Sequence, residues 1–205
     1  MLLVLDINET LLDMSPLDPL FGGAENRAAW FSRLIRLALI RTAARSYRPF
    51  GALALDAAAD LGFRVDREEL SATMAALPAH PDVLRALPEL HARHEVVALG
   101  NSALDVVRAQ LESAGIARHV ADIHSAAELD DLKPSPRVYR DVLERHGRAP
   151  EDAVMVAAHD WDIAGAAAVG MRTAHVDRGL APQVPGLTAT WTVAGLDELP
   201  PLLPE

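Results

Sequence analysis

Three charged side chains stand at or beyond the ends of short strand-like runs. Leu2-Leu3-Val4-Leu5 ends on Asp6, Ala153–Ala158 runs into His159-Asp160-Trp161-Asp162, and Leu132-Lys133-Pro134 follows a short run near 121–124. An unbroken apolar run suits a strand buried on both faces of a parallel sheet. Open α/β sheets gather their ligands outside the carboxyl ends of such strands. A carboxylate there sits in partly dry surroundings and is either paired or used in chemistry. Capping the following turn is the alternative for Asp6, since Asp is a common turn residue. Lys133 is the one lysine beside 18 arginines. In so Arg-biased a chain, a retained lysine points to a task for a compact ammonium rather than a planar fork. Chance survival at an exposed site is the competing reading.

A further buried run, Glu95-Val96-Val97-Ala98-Leu99, leads into Gly100-Asn101-Ser102. Ser102, with Asp105 three residues on, reads first as a capping pair for a helix over 103–114. Asn101 has no such bland role. His159 and Trp161 lie beside Asp162 and are expected to line the same pocket; helix capping is the expected role of Asp160.

The elements that must position these groups follow from periodicity. Strands are predicted at 95–99, 121–124, 153–158 and 173–176, with an edge strand near 190–193 in a tail punctuated by Pro182, Pro185, Pro200, Pro201 and Pro204. Helices are predicted over 81–93, 103–114, 136–147 and 162–170. Pro136 stands at the first position of its helix with Ser135 as cap. Residues 15–79 show only helical patterns. Trp30, Leu34, Leu37 and Ala38 share one stripe between 25 and 46, and further helices are expected over 50–61 and from Asp66 to Pro78. The fold expected is α/β, a Rossmann-like parallel sheet formed by 1–14 and 80–205, with 15–79 as a small helical cap.

A formal charge of −10 argues against a nucleic-acid backbone or an anionic membrane as partner. No apolar run approaches the ~18 residues of a membrane span, and Asp6 interrupts the start before a signal peptide could form. The chain has no cysteine, so disulfides and thiolate metal sites are excluded and a cytoplasmic setting is expected. His91 and His94 are spaced for one helix face, but no third ligand of suitable spacing makes them a zinc pair.

Asp6-x-Asn8-x-Thr10-Leu11 resembles the nucleophile motif of the haloacid dehalogenase superfamily. Lys133-Pro134-x-Pro136-x-x-Tyr139 is similar to its third motif, and Trp161-Asp162 before a small-residue helix to the fourth motif of its type II dehalogenase branch. Asn101 matches the second motif of that branch, in which a Ser or Thr precedes the Asn; here Gly100 stands there. The resemblance implies an Asp nucleophile, a covalent ester, and a Lys contacting the nucleophile carboxylate. It also implies a cap over the site.

Two departures from the superfamily's phosphatases point one way. Those enzymes protonate an alkoxide leaving group with an Asp two residues after the nucleophile; here that residue is Asn8. They also use two acids four residues apart to hold Mg²⁺, and four before Asp162 stands Ala158. A halide needs neither proton nor metal. The expected chemistry is therefore metal-independent 2-haloacid dehalogenation, without a cofactor. In that scheme Asp6 is the nucleophile, Thr10 holds one of its oxygens, Lys133 keeps it ionised, and Asp162 balances Lys133 and orients water. Ile7, Asn8 and Ser102 would supply N–H groups to the substrate carboxylate, and Asn101 a donor to the halide. The type II branch binds halide with an Arg after a cap-helix Trp; here Phe31 follows Trp30, leaving Arg33 or Arg36 as substitutes. The partner expected is a small anionic molecule, a 2-halo carboxylic acid or similar, with a homodimer left open. The alternatives are a small-molecule phosphatase and a catalytically impaired ligand binder on the same fold.

Overall fold

In the computed structural model, which describes residues 1–180 and 184–204, the first apolar run forms β1, Leu2–Leu5, with all four side chains buried. On one side β1 pairs with β2 (Glu95–Gly100), and β2 with β3 (Asp122–Ser125). On the other side it pairs with β4 (Ala153–Ala157), followed by β5 (Arg172–Val176) and β6 (Trp191–Val193). Every pairing is parallel and the order is β3-β2-β1-β4-β5-β6. The chain steps outward from β1 to β3 and then returns to β4, so the crevice between the carboxyl ends of β1 and β4 is the switch point where such sheets bind ligands. Leu5 is level with both Ala98 and Val156. Asp6 and the loops after β2 and β4 therefore open at one height.

Helices α1 (Asp18–Phe21), α2 (Ala24–Ala43), α3 (Phe50–Asp60), α4 (Arg67–Ala75) and α5 (Pro81–Arg93) lie between β1 and β2. Helix α6 (Leu104–Ser113) follows β2, α7 (Pro136–Arg145) follows β3 and α8 (Asp160–Ala167) follows β4. Alternation along the strands divides the interior in two. Leu3, Leu5, Val96, Ala98 and Val156 face a layer that continues into Phe21, Trp30, Leu34 and Leu53 of α1–α3. Leu2, Val4, Val97 and Leu99 face Val138, Tyr139 and Val142 of α7 and Ile163 of α8. The helical stretch thus packs over the same sheet face and roofs the crevice.

Several expectations need correction. Ser102 does not cap α6: the cap position is Ala103, with no side-chain hydrogen bond, and the Ser102 carbonyl instead accepts from Ser125 Oγ at 2.5 Å. Asp160 is the first residue of α8 rather than a cap, so this helix starts two residues earlier than expected. Ser135 occupies the cap position of α7 but makes no capping bond. Leu37 is only half-buried, and Phe31 takes its place on the buried face of α2 beside Trp30. His94 lies just past α5 in extended backbone, off any face shared with His91. Pro182 of the tail lies outside the described residues. Among them, no helix is long and apolar enough to cross a membrane.

Candidate active site

The Lys133 ammonium donates three hydrogen bonds, and these organise the crevice. One goes to Asp6 Oδ1 at 2.7 Å, one to Asp162 Oδ2 at 2.6 Å, and one to the Leu99 carbonyl at 3.0 Å. All three ammonium hydrogens are thereby used. Lys133 is 2% exposed and Asp162 0%, so the charges face one another in a dry setting where pairing is required. A surface-drift origin for the lone lysine is thus overturned.

Asp6 is fixed at both oxygens. Oδ2 accepts from Thr10 Oγ1 at 2.6 Å, and that hydroxyl in turn accepts from the Ala158 N–H at 2.9 Å. Burial alone pushes the Asp6 carboxyl up, but the Lys133 ammonium, with help from His159 and Thr10, holds it below the usual aspartate range. Asp162 goes the other way. Burial is the largest influence and the nearby Asp6 charge adds to it, so this carboxyl sits above its usual range despite Lys133. One cation serves two carboxylates, and their affinities for a proton are driven apart.

Tyr139 Oη donates to Asp162 Oδ1 at 2.5 Å. Burial and the Asp162 charge raise the phenol well above its ordinary value, so it stays a donor. Room for it comes from Gly165 on α8, where a Cβ would stand 2.6 Å from Tyr139 Cε2 and 2.7 Å from Pro134 Cβ. Gly100 is likewise dictated by packing: a Cβ there would meet Val107 Cγ2 at 2.8 Å and Ile7 Cδ1 at 3.1 Å. The missing Ser or Thr hydroxyl is thus displaced by apolar contact rather than left as a gap.

Asn101 reaches back to the lysine loop, its Oδ1 accepting from the Lys133 backbone N–H at 2.7 Å. With its oxygen so used, its amide N–H₂ is the end left for a ligand. Asn8 Oδ1 accepts from Gln110 Nε2 at 3.0 Å, and the same Gln110 nitrogen donates to the Met74 carbonyl at 3.0 Å. Asp6, Ile7, Asn8, Asn101, Ser102, Lys133, His159 and Trp161 all line one cavity, joined by Phe31 and Ile35 of α2 and Phe50 of α3. The space open to the centre of a water-sized molecule is only about 20 Å³, roughly one or two waters. In this closed form the cavity admits only something small.

Phe31 points into the cavity, its ring centroid 5.5 Å from that of His159. His159 stacks on Trp161 at 5.1 Å and 14°, with Nε2 3.3 Å from Glu9 Oε2. Glu9 also pairs with Arg27 at 3.0 Å and adopts a left-handed φ of 63°, a conformation uncommon for a non-glycine residue and found often at functional sites. Arg33 and Arg36 do not replace the absent arginine. Arg33 is tied to Asp60 at 2.5 Å and Arg36 is exposed, and neither lines the cavity.

Sequence reasoning gave no role to Gln110, Phe50, Tyr139 or Glu9. Gln110 left a readable signal, a polar residue one turn from Val107 on the buried stripe of α6 that also carries Leu111. Phe50 left none, because its approach depends on how α3 folds back over the sheet.

Comparison with known proteins agrees with this geometry. The family model for haloacid dehalogenase-like hydrolases matches residues 1–170. The chain is 30% identical to (S)-2-haloacid dehalogenase 4A of Burkholderia cepacia, over 98% of its length and 93% of that protein. It is 36% identical to a phosphoserine phosphatase of Thermus thermophilus, but over 60% of this chain and 50% of that one. A crystal structure described as that of a dehalogenase superposes with a TM-score of 0.86 at 27% identity, covering 99% of this chain and 96% of that chain. With the family model spanning the catalytic crevice and a relative matched nearly end to end, the chain belongs to the haloacid dehalogenase-like hydrolases.

Proposed function

We propose that the chain is a type II 2-haloacid dehalogenase working without a metal, with Asp6 as nucleophile and residues 15–79 as cap. The observation that carries this reading is the Asp6–Lys133–Asp162 cluster beside a small cavity in which Asn8, not an acid, stands two residues after Asp6. An Asp6 oxygen attacks the α-carbon of the substrate, a C–O bond forms, and halide departs with the C–X electron pair. Water then attacks the Asp6 ester carbonyl. The 2-hydroxy acid leaves carrying an Asp6 oxygen, and one proton is released. Lys133 holds Asp6 ionised for the first step. Asp162 lies behind Lys133, wholly buried and outside the cavity lining, so its part is to balance Lys133 rather than to touch the water.

The halide is assigned to Asn101, Phe31 and His159, all of which line the cavity. The N–H groups of Ile7, Asn8 and Ser102 are assigned to the substrate carboxylate. A phosphatase-type Mg²⁺ does not fit this donor set. Asp162 has both oxygens committed, to Lys133 and Tyr139, and Ala158 offers no side-chain oxygen, its N–H going to Thr10 and its carbonyl lying 3.2 Å from His175 Nε2. Asn8 cannot protonate an alkoxide near neutral pH. A chain without cysteine fits a cytoplasmic setting.

The experiment is a parallel assay on 2-chloro- and 2-bromopropionate and on phosphoserine, each with Mg²⁺ and with chelator. Halide release unchanged by chelator is the expected result. Mg²⁺-dependent phosphate release would replace this reading with the phosphatase, and silence in both arms would favour a ligand-binding role.

A further inference from the structure

A second cluster of ionisable groups lies on the α7 side of the sheet, outside the cavity. His124 on β3 is level with Leu99 and turns with it toward α7. His146 immediately follows α7, and the two Nε2 atoms face each other 2.8 Å apart. Asp122 Oδ2 lies 3.5 Å from the first and 3.8 Å from the second. Glu95 Oε1 accepts from His146 Nδ1 at 2.7 Å, and Arg148 secures the other Glu95 oxygen at 2.8 Å.

The tautomers follow from these contacts. A carboxylate on Nδ1 places the His146 proton there and leaves a lone pair on Nε2, aimed at His124. This carboxylate–imidazole arrangement is how metal-ligating histidines are oriented and made more basic. His124 turns its own Nε2 to that lone pair. Without an ion its Nε2–H must donate to His146; moving that proton to Nδ1, which has no hydrogen-bond partner, frees the second lone pair. Two nitrogens on one tetrahedral zinc at its usual bond lengths stand ~3.4 Å apart. The imidazoles need separate by only about half an ångström, and the Asp122 oxygen is already at such a spacing. Arg145 pairs with Asp141, and Arg148 with Glu95. Among the described residues Asp122 has no Lys or Arg partner, so the cluster carries the uncompensated negative charge a cation would neutralise.

We propose that His124, His146 and Asp122 form a binding site for a divalent transition metal of the zinc type, with Glu95 positioning His146. The mixed imidazole and carboxylate set suits Zn²⁺ or its late first-row neighbours rather than Ca²⁺ or Mg²⁺. None of the three residues lines the catalytic cavity, so the ion would clasp β3 to the end of α7 and add stability rather than chemistry. Asp122 is exposed, which leaves the fourth position to water.

The test is equilibrium dialysis of the metal-stripped, untagged chain against Zn²⁺, with Co²⁺ as a spectroscopic substitute. One equivalent should bind, Co²⁺ should give the intense visible bands of a tetrahedral site, and Zn²⁺ should raise the melting temperature. His146→Gln should weaken binding at least 100-fold and Asp122→Asn at least tenfold. Glu95→Gln should weaken it about 10–100-fold, the usual effect of losing such a partner. Asp122 is exposed enough that its variant should fold normally, as circular dichroism would verify. Absence of one-to-one binding, or binding equally tight in folded Asp122→Asn and His146→Gln, would overturn the proposal.

Discussion

Two ion-paired sites lie on either side of the β1 loop, and they are built on opposite principles. Arg178 grips Asp82 with both forks at 2.9 Å and spends a further hydrogen on the Thr10 carbonyl at 2.8 Å, while Asp82 also accepts from the Leu196 N–H at 2.7 Å. One cation meets one anion in planar, bidentate geometry, and the remaining lone pairs find backbone donors. Lys133 instead sits between two carboxylates, Asp6 and Asp162, with one face of Asp6 turned to a cavity. The first arrangement is balanced in charge, as a structural clasp should be, although Arg178 Nε has no hydrogen-bond partner among the described residues. The second holds an excess negative charge, and under the proposed function that imbalance leaves Asp6 available to an electrophile.

The comparison is broken most completely at its centre. Lys133→Ala leaves two buried carboxylates facing each other without a cation, so one takes up a proton. Activity should fall by about a thousandfold or more, and stability by roughly 3–5 kcal/mol, the usual cost of breaking a buried ion pair. Lys133→Arg should be comparably inactive because a planar head does not fit a point-charge site. Turnover assays with urea melts check both.

Arg178→Ala probes the clasp. A similar loss of roughly 3–5 kcal/mol in stability is expected, while turnover of the folded protein at low temperature should change by no more than a few-fold. A large activity loss at intact stability would place Arg178 in the chemistry and blur the distinction between the two sites.

Asp162→Asn sharpens the contrast, because function and stability should part. Activity should drop about 100-fold, since Lys133 loses the partner that positions it beside Asp6, yet stability at neutral pH should be equal or greater. The sign follows from its raised proton affinity in the fold. Such a carboxyl favours the folded state most at pH below its unfolded value, near 3.9. That advantage is lost as pH rises through the folded value. Substitution therefore helps most near pH 7, and its benefit should fade as acid protonates the native Asp162. Melting temperatures across pH 4–8 provide the check.

The smallest effect is expected at the packing that supports the cluster. Gly165→Ala would press a methyl against Tyr139 and Pro134, costing about 1–3 kcal/mol by overpacking. Displacing Tyr139 from Asp162 should also slow turnover several-fold.

How much of this was readable in the sequence differs between the two sites for a physical reason. Asp6 and Asp162 follow buried apolar runs, so strand periodicity put them at the carboxyl ends, whereas Lys133 stands eight residues past β3 and was placed by its motif and its singularity. The lone lysine carried its own signal against an arginine background. Arg178 had none, being one arginine among 18 whose partner lies 96 residues away. Phe31 was reached only through the resemblance, as the residue after Trp30 at the expected halide site, because a helical stripe gives a face but not which neighbour of Trp30 reaches the crevice. Ser102 misled because its composition fits a cap, whereas the loop after β2 uses its carbonyl to receive Ser125. Helix ends shifted by a residue or two, as fraying ends do.

The central claim is that the unbalanced cluster makes Asp6 a nucleophile, and isotope placement tests it most directly. A single turnover of 2-chloropropionate in oxygen-18 water, with enzyme in excess, followed by mass spectrometry of the peptide holding Asp6, reads where water attacks. The account predicts label in the Asp6 carboxylate and unlabelled oxygen in the first hydroxy acid released. Label in the product alone, with Asp6 unlabelled, would mean that water attacks the substrate directly, and would contradict it.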